Sequence, residues 1–356
     1  MGRVYVGSVQ DGGWNAAHEH GFAAVRAELP GLDAGLYVDG LDDEDAAVGA
    51  AARRLVNAGA RAIIVAAPGR GEAARGVARG APGVLVVQVS DERSSSDPPN
   101  LVTVNVLDDE ARYISGLIAG LAVESGSNLG YVAAVPQSEV LRGINAFALG
   151  VARVNPSAHV HLRWSGYWSD SATEGALVRE LLELPVQAAL IAMHQHGPTA
   201  AVVAQASGRL AMGNHVDMSV SAPNAVLSGP VVSWQVPYRA LLEPLCAGTW
   251  TTLDGAVLAP RSVWERVGTI RDRTVELAPV NPRTLAMLTR RAEIQRVAAE
   301  ELAAFRTGER SALTIFSGTL VDNAGVVRSR GRPDLARLFD EGDPWLAENV
   351  IGVPSP

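Results

Sequence analysis

The sequence predicts an α/β protein built on doubly wound parallel sheets. Three observations carry this. Short β-branched runs alternate with amphipathic stretches. The carboxyl ends of the strands open into Gly-, Pro- and His-bearing loops. The strand–helix pattern starts afresh near Leu129, so two similar arrays stand in tandem. A chain of 356 residues with 47% apolar residues suits two domains with sizeable cores.

The first array opens with Val4-Tyr5-Val6, a buried strand. The turn Gly7 to Gly13 follows, where Gly12 and Gly13 let the backbone bend sharply. Trp14 then starts a helix whose His18, Phe22, Val25 and Leu29 share a face. Leu36-Tyr37-Val38 reads as the second strand. Asp43-Glu44-Asp45 places acid at a helix start, where the macrodipole favours it, and Gly59 reads as that helix's stop. Ala62 to Ala67 is a fully apolar strand opening into Pro68-Gly69-Arg70-Gly71. Val84 to Val89 is the next strand, Ser90 to Asn100 a polar loop, and Leu101 to Asn105 a crossing strand. The helix after it carries Tyr113, Leu117, Ile118 and Leu121.

The second array has strands at Leu129–Ala134, Val160–Trp164, Val186–Ala192 and Arg209–Gly213. Helices are expected over Glu139–Val154 and from Asp170, an N-cap, to about Leu184. Its loops are Met193-His194-Gln195-His196-Gly197-Pro198 and Asn214-His215-Val216-Asp217-Met218. Val226-Leu227-Ser228 is strand-like, Tyr238 to Ala247 helical, and Pro282 to Phe305 one long helix. Asp322-Asn323-Ala324-Gly325 between apolar runs reads as a hairpin or turn.

Composition excludes several chemistries. Net charge is −8 with no basic block, which disfavours nucleic acid. Every cation is Arg, so Schiff-base chemistry and a P-loop lysine are ruled out. The lone Cys246 has no CxxC partner and is expected to be a buried, inert thiol. No cofactor is expected. No apolar run is long enough to span a bilayer, and no leader-like segment precedes the first strand. Two locations stay open: extracytoplasmic, periplasmic or lipid-anchored, if a leader was removed; cytoplasmic if Met1 is the native start.

In open α/β sheets ligands collect at the carboxyl edge of the strands. That edge nominates Asp11, Trp14, Asn15, Gln88, Trp168, His194, His215 and Asp217 as ligand-binding residues. Each has a structural alternative. Trp14 either faces a crevice or is core. Trp168 is either core or a cleft residue, and its place before an N-cap favours the cleft. Asp11 either binds ligand or holds the turn. Gln88 is a lone polar residue in a strand. His194 and His196 have a metal-like spacing but no third ligand nearby. Glu139 and Arg142 pair with each other or reach the ligand. Trp164, Trp250, Trp264 and Trp345 read as core or tail packing.

These loops resemble those of the basic membrane protein (Bmp) family, the purine-receptor branch of periplasmic substrate-binding proteins. The likeness lies in Asp11 to His18, Glu139 to Phe147 with its Arg142-Gly143-Ile144-Asn145, Val154-Asn155-Pro156, Tyr167-Trp168-Ser169-Asp170, Gly213 to Ser219, and Ile315 to Gly325. The resemblance implies a type I periplasmic-binding-protein fold: two Rossmann-like lobes with parallel sheets, a multi-strand hinge, and ligand in the cleft. It places one lobe at 1–106 plus about 232–265 and the other at 107–231 plus part of 266–312. Residues 313–356 form a tail packing on the lobes. It implies a purine nucleoside or nucleobase sandwiched by two aromatic rings, matched here by Trp14 before Asn15 and Trp168 before Ser169-Asp170.

The chain departs from the family pattern in three places. The acidic insert before the first aromatic is reduced to Gln10-Asp11. His215 stands where a ribose-binding Asp is usual, with Asp217 nearby. The ribose-binding Lys has no counterpart, and Trp234, close to its place, joins the ligand-binding residues through the resemblance. Loss of two sugar-binding charges argues for a bare base, adenine-like. The implied function is non-catalytic capture for an ABC transporter, with a purine ligand and a permease as partners. The alternative is a cytosolic purine or nucleoside sensor, or an enzyme recruited from the scaffold, motivated by the absent leader and by His194, His196, His215 and Asp217.

Overall fold

The computed structural model describes residues 1–89, 94–253, 256–258, 265–340 and 342–355, with backbone only at 251–253, 256–258 and 265–266. Trp264 and the Ser90–Arg93 part of the polar loop fall outside the described residues. In chain order the elements begin β1 (Gly2–Val6), α1 (Trp14–Glu28), β2 (Leu36–Leu41), α2 (Asp45–Asn57), β3 (Ala62–Ala66), α3 (Gly71–Gly80), β4 (Leu85–Val89) and β5 (Leu101–Val106). They continue α4 (Asp109–Ala122), β6 (Asn128–Ala133), α5 (Ser138–Val154), β7 (His159–Trp164), α6 (Ser171–Leu182), β8 (Leu190–His194), α7 (Thr199–Ala206), β9 (Leu210–Met212), β10 (Val226–Ser228) and β11 (Pro230–Val232). Next come α8 (Gln235–Cys246), β12 (Thr251–Leu253), β13 (Ala256–Leu258), β14 (Glu265–Gly268), β15 (Val275–Leu277), α9 (Pro282–Leu285) and α10 (Arg291–Thr307). The chain closes with α11 (Ala312–Ile315), β16 (Gly318–Val321), β17 (Val327–Gly331), α12 (Leu335–Leu338) and β18 (Val350–Ile351).

The chain divides into two units, Met1–Val106 with Ser233–Gly268, and Leu107–Val232 with Thr269–Pro356. In the first, a parallel sheet runs β14-β5-β4-β3-β1-β2. β3 and β4 are buried along their whole length, because helices cover both sheet faces. On one face Val4, Ile63, Val65 and Val86 pack against Val48, Ala52 and Leu55 of α2 and Ala74 and Val77 of α3. On another, Arg3 lies 3.9 Å over the Phe22 ring while Arg3 and Tyr5 both bond Glu19, so a buried charge is neutralised within α1 and β1.

The second unit repeats the plan, with order β10-β9-β8-β6-β7-β18, all parallel. Leaving out the added edge strands, both sheets have the order second-first-third-fourth-fifth. Such a sheet switches direction between its first and third strands, and the crevice for a ligand opens at their carboxyl ends. The tail supplies β18, which lies beside β7. Asn145 fastens it: its Nδ2 donates to the Trp345 carbonyl at 3.0 Å and its Oδ1 accepts from Ala347 N–H at 2.8 Å. Phe316, Phe339 and Trp345 make a ring cluster beneath, and the Asp322–Gly325 turn joins β16 to β17.

Four expectations are corrected. The strand placed at Val186–Ala192 is β8, Leu190–His194: Val186 is exposed, and pairing with β6 sets in at Leu129 opposite Leu190. The long helix from Pro282 is two. Thr284 Oγ1 donates to the Val226 carbonyl at 3.1 Å and ties the short α9 to β10, after which tight turns at Met287 and Leu288 redirect the chain into α10. Cys246 is exposed, because it sits in the last turn of α8, past the buried Tyr238, Leu241 and Leu242. Glu139 and Arg142 do not pair with each other; Arg142 Nη2 bonds both carboxylate oxygens of Asp109, at 2.7 and 2.5 Å. The close packing of α4 on α5 brings them together, since a Cβ on Gly116 would collide with the Phe147 carbonyl and one on Gly150 with that of Tyr113.

Candidate functional site

In the second unit the carboxyl end of β8 carries a cluster built around Arg112. This guanidinium, buried on α4, donates to Asp108 Oδ2 (2.8 Å), the Tyr131 hydroxyl (2.8 Å), the Met193 carbonyl (3.3 Å) and Asn214 Oδ1 (2.7 Å). Asn214 Nδ2 in turn donates to the Gln195 carbonyl at 3.1 Å. One cation thereby fixes the loops after β8 and β9. A Cβ at Gly143 would lie 2.6 Å from Arg112 Cδ and 3.5 Å from His194 Nδ1, so the Arg-Gly-Ile-Asn pattern needs its glycine to admit both side chains.

Three histidines meet here. The His194 and His196 rings lie 6.0 and 6.2 Å from that of His215, which sits at φ +60, a left-handed conformation uncommon for a residue other than glycine. All three are buried. Burial, then Arg112 and the neighbouring rings, holds His194 well below the ordinary imidazole range; burial and His215 do the same for His196. Burial and Arg112 bring His215 down to about 3. All three are therefore neutral near pH 7, able to donate or accept a hydrogen bond. Among the described residues no group of three His, Cys, Asp or Glu side chains could hold a metal ion.

Trp168 is half-buried and lies against this cluster. Its ring stacks on His196 at 4.9 Å and 20°, and its carbonyl accepts the His196 N–H at 2.9 Å. Two residues later Asp170 caps α6, accepting from Ala172 and Thr173 N–H at 3.0 and 3.3 Å. Asp217 is committed to a turn as well, accepting the Ser219 N–H at 3.0 Å. Glu139, at the start of α5, is raised to about 7 by burial and by Asp108, against the pull of Arg142.

In the first unit the turn after β1 is held by Asp11. Its carboxylate accepts N–H bonds from Gly13 (2.9 Å), Asn15 (2.9 Å) and Ala16 (3.0 Å), a negative charge at the start of α1. Asn15 Nδ2 donates to the Val6 carbonyl at 2.9 Å, and Gln88 Nε2 donates to Ala67 and Val89 carbonyls at 3.1 and 3.0 Å. The amide oxygens of both are buried and without a hydrogen-bond partner among the described residues. Trp14 is buried, its ring edge-on to His18 (4.7 Å, 72°) and to Trp234 (5.4 Å, 79°). Trp234 is fully buried and stacks on His18 (3.9 Å) and Tyr238 (5.9 Å), and His18 Nδ1 shares a 2.5 Å hydrogen bond with the Tyr238 hydroxyl.

The structure thus groups Trp168, His194 and His215 in one unit, and Asp11, Trp14, Asn15 and Trp234 around α1 in the other, with Gln88 at the end of β4. Sequence reasoning missed Arg112, Asn214, Ser165 and Gln195. Asn214 and Gln195 stand inside loops it singled out; an arginine on an amphipathic helix carries no signal that it is buried.

A family model described as ABC transporter substrate-binding protein, PnrA-like (Bmp), matches residues 1–260. A purine-binding protein of Brucella abortus is 30% identical over 261 residues, covering 70% of this chain and 69% of that protein. A putative ABC transporter glucose-binding protein of Haloferax volcanii is 35% identical over 141 residues, 40% of this chain and 35% of that one. Among solved structures, an ABC transporter solute-binding protein of Conexibacter woesei aligns with TM-score 0.66 at 18% identity, covering 87% of this chain and 98% of its own. A solute-binding protein of Aeropyrum pernix aligns with TM-score 0.68 at 14% identity, covering 87% and 92%. At these identities the structural matches speak for the fold.

Proposed function

The chain belongs to the Bmp family of ABC transporter substrate-binding proteins, and from that premise we propose that it captures a purine nucleobase, adenine-like, for delivery to a permease. Family membership brings a small-molecule ligand and a transporter as partners. The observation that carries the purine reading is the half-buried Trp168 ring. It is backed by the His196 ring and set among neutral histidines at the carboxyl end of β8. A purine is apolar on its faces and polar at its edges. A stacked indole serves the first, and uncharged donors and acceptors serve the second.

In this proposal Trp168 supplies ring surface, and stacking contributes about 1–3 kcal/mol per ring–base contact. His194 and His215, in the same unit as Trp168, supply edge contacts. Within the first unit Trp234 packs against Trp14 and Asp11 shapes the turn into α1, and in the second Asp217 shapes its own turn. The name of the Brucella relative supports the purine class. We place the working protein outside the cytoplasm, where transporter-linked binding proteins meet their ligands. No helix among the described residues is long and apolar enough to cross a membrane.

Titration calorimetry with adenine, guanine, hypoxanthine, adenosine and D-glucose tests this. Saturable heat with a purine base is expected. Heat with D-glucose alone would move the ligand to the class named for the Haloferax relative. Mass spectrometry of adenosine incubated with the protein is expected to return it unchanged; cleavage would replace capture by catalysis.

A further inference from the structure

Gln195 is the buried amide between the two loop histidines, and its two ends are treated differently. Its Nε2 donates to Ser165 Oγ at 2.9 Å. That hydroxyl spends its own proton on the Tyr167 carbonyl, at 2.7 Å, so toward Gln195 it can act only as an acceptor. The hydrogen-bond chain therefore fixes which way the amide lies: nitrogen on Ser165, oxygen away from it. The oxygen, Oε1, is buried and has no hydrogen-bond partner among the described residues. Leaving a buried acceptor unpaired is costly, and such a group in a folded protein calls for a missing partner.

The surroundings hold this amide rigid. The Gln195 carbonyl accepts from Asn214, itself held by Arg112. The next residue, His196, is bolted to Trp168 by a backbone hydrogen bond and a ring stack, and Ser165 lies three residues before Trp168 on the same loop. The unpaired oxygen therefore belongs to the frame that holds the proposed stacking ring.

We infer that Gln195 is a specificity-determining residue whose locked Oε1 accepts a hydrogen bond from a ligand N–H, selecting an amino-bearing heterocycle over one with a carbonyl at that edge. This rests on the purine reading and deepens it: a 6-aminopurine satisfies the acceptor, while a 6-oxopurine sets oxygen against oxygen. Ser165 acts as the positioning residue, since without its hydroxyl the amide can turn over and offer Nε2 instead.

The test is calorimetric titration of adenine and hypoxanthine into wild type, Gln195→Leu, Gln195→Glu and Ser165→Ala, each checked for a native circular dichroism spectrum and cooperative melt. Wild type is expected to prefer adenine. Gln195→Leu should weaken adenine about 10- to 100-fold, the range for leaving one hydrogen-bonding group of ligand or site unpaired, and should leave hypoxanthine unchanged or tighter. Gln195→Glu retains an acceptor oxygen and should keep the preference for adenine. Ser165→Ala should narrow the adenine-to-hypoxanthine ratio. If Gln195→Leu does not fold, the Ser165→Ala ratio decides. If wild type binds adenine and every folded variant keeps the wild-type ratio, the inference is overturned and purine capture stands. If wild type binds neither base nor any other purine, the purine reading fails and this inference with it.

Discussion

Replacing Trp168 by alanine separates ligand binding from folding. The ring is half-buried, stacked on His196 at 4.9 Å and edge-on to His194 at 6.2 Å. The backbone bond from His196 N–H to the Trp168 carbonyl survives the substitution, as does the Asp170 cap that starts α6. Losing the partly buried apolar ring costs at most roughly 2 kcal/mol of stability, a melting shift of a few degrees for a domain of this size. If the ring stacks on a purine, its removal costs binding about 1–3 kcal/mol, which is roughly 5- to 150-fold in Kd. Calorimetry with adenine on the folded variant, beside a thermal melt, reads both numbers. An adenine affinity within twofold of wild type, with the melt lowered, would refute the ring's role in binding and return Trp168 to packing.

Two further outcomes follow from the second unit. Arg112→Met should strip Asp108, Tyr131 and Asn214 of their shared donor; breaking a buried pair costs about 3–5 kcal/mol, read as a shifted denaturant midpoint without loss of the far-ultraviolet spectrum. The pH response has a definite sign at His215, whose folded-state pKa is depressed from 6.5 to about 3. Between those values the unfolded chain binds the proton and the folded chain does not, so stability falls as pH drops below 6.5, by up to about 1.4 kcal/mol per pH unit for such a group. Glu110 and Glu174, raised to about 7 by burial, work in the opposite direction between their ordinary range and 7. Urea titrations from pH 7 to 5 on wild type and His215→Asn cancel the carboxylates. Asparagine accepts the left-handed backbone, and its profile should be shallower on the acid side; superimposable profiles would contradict a buried neutral His215.

Much of the fold was legible because parallel strands buried on both faces are written as continuous apolar runs. Ala62–Ala66 is such a run and Leu85–Val89 is one broken only by Gln88, and between them the helical periods are clean. The edge strands were not legible. Glu265–Gly268 pairs with β5 from far along the chain, and the two-residue β18 reaches β7 from the tail; neither has a local pattern to read. The split of α9 from α10 was hidden because Arg290 and Arg291 suit a helix as well as a turn, and the cause is tertiary, the Thr284 bond to β10.

The candidate site was legible where chemistry is concentrated in a loop, as at Met193 to Pro198. It was opaque where a common residue does an uncommon job. Arg112 looks like any solvated helical arginine until Asp108, Tyr131 and Asn214 close round it. Asp11 and Asp217 accept backbone N–H bonds at a helix start and a turn, a structural use that a loop sequence does not distinguish from ligand binding. Cys246 misled because burial was inferred from residue type, while exposure was set by its place in the last turn of α8.

A crystal structure of the protein grown with adenine tests the central claim most directly. The account predicts flat density parallel to the Trp168 indole, within stacking distance, with its amino nitrogen in hydrogen-bond range of Gln195 Oε1. Adenine seated away from Trp168, or an indole left bare at saturating base, would contradict it.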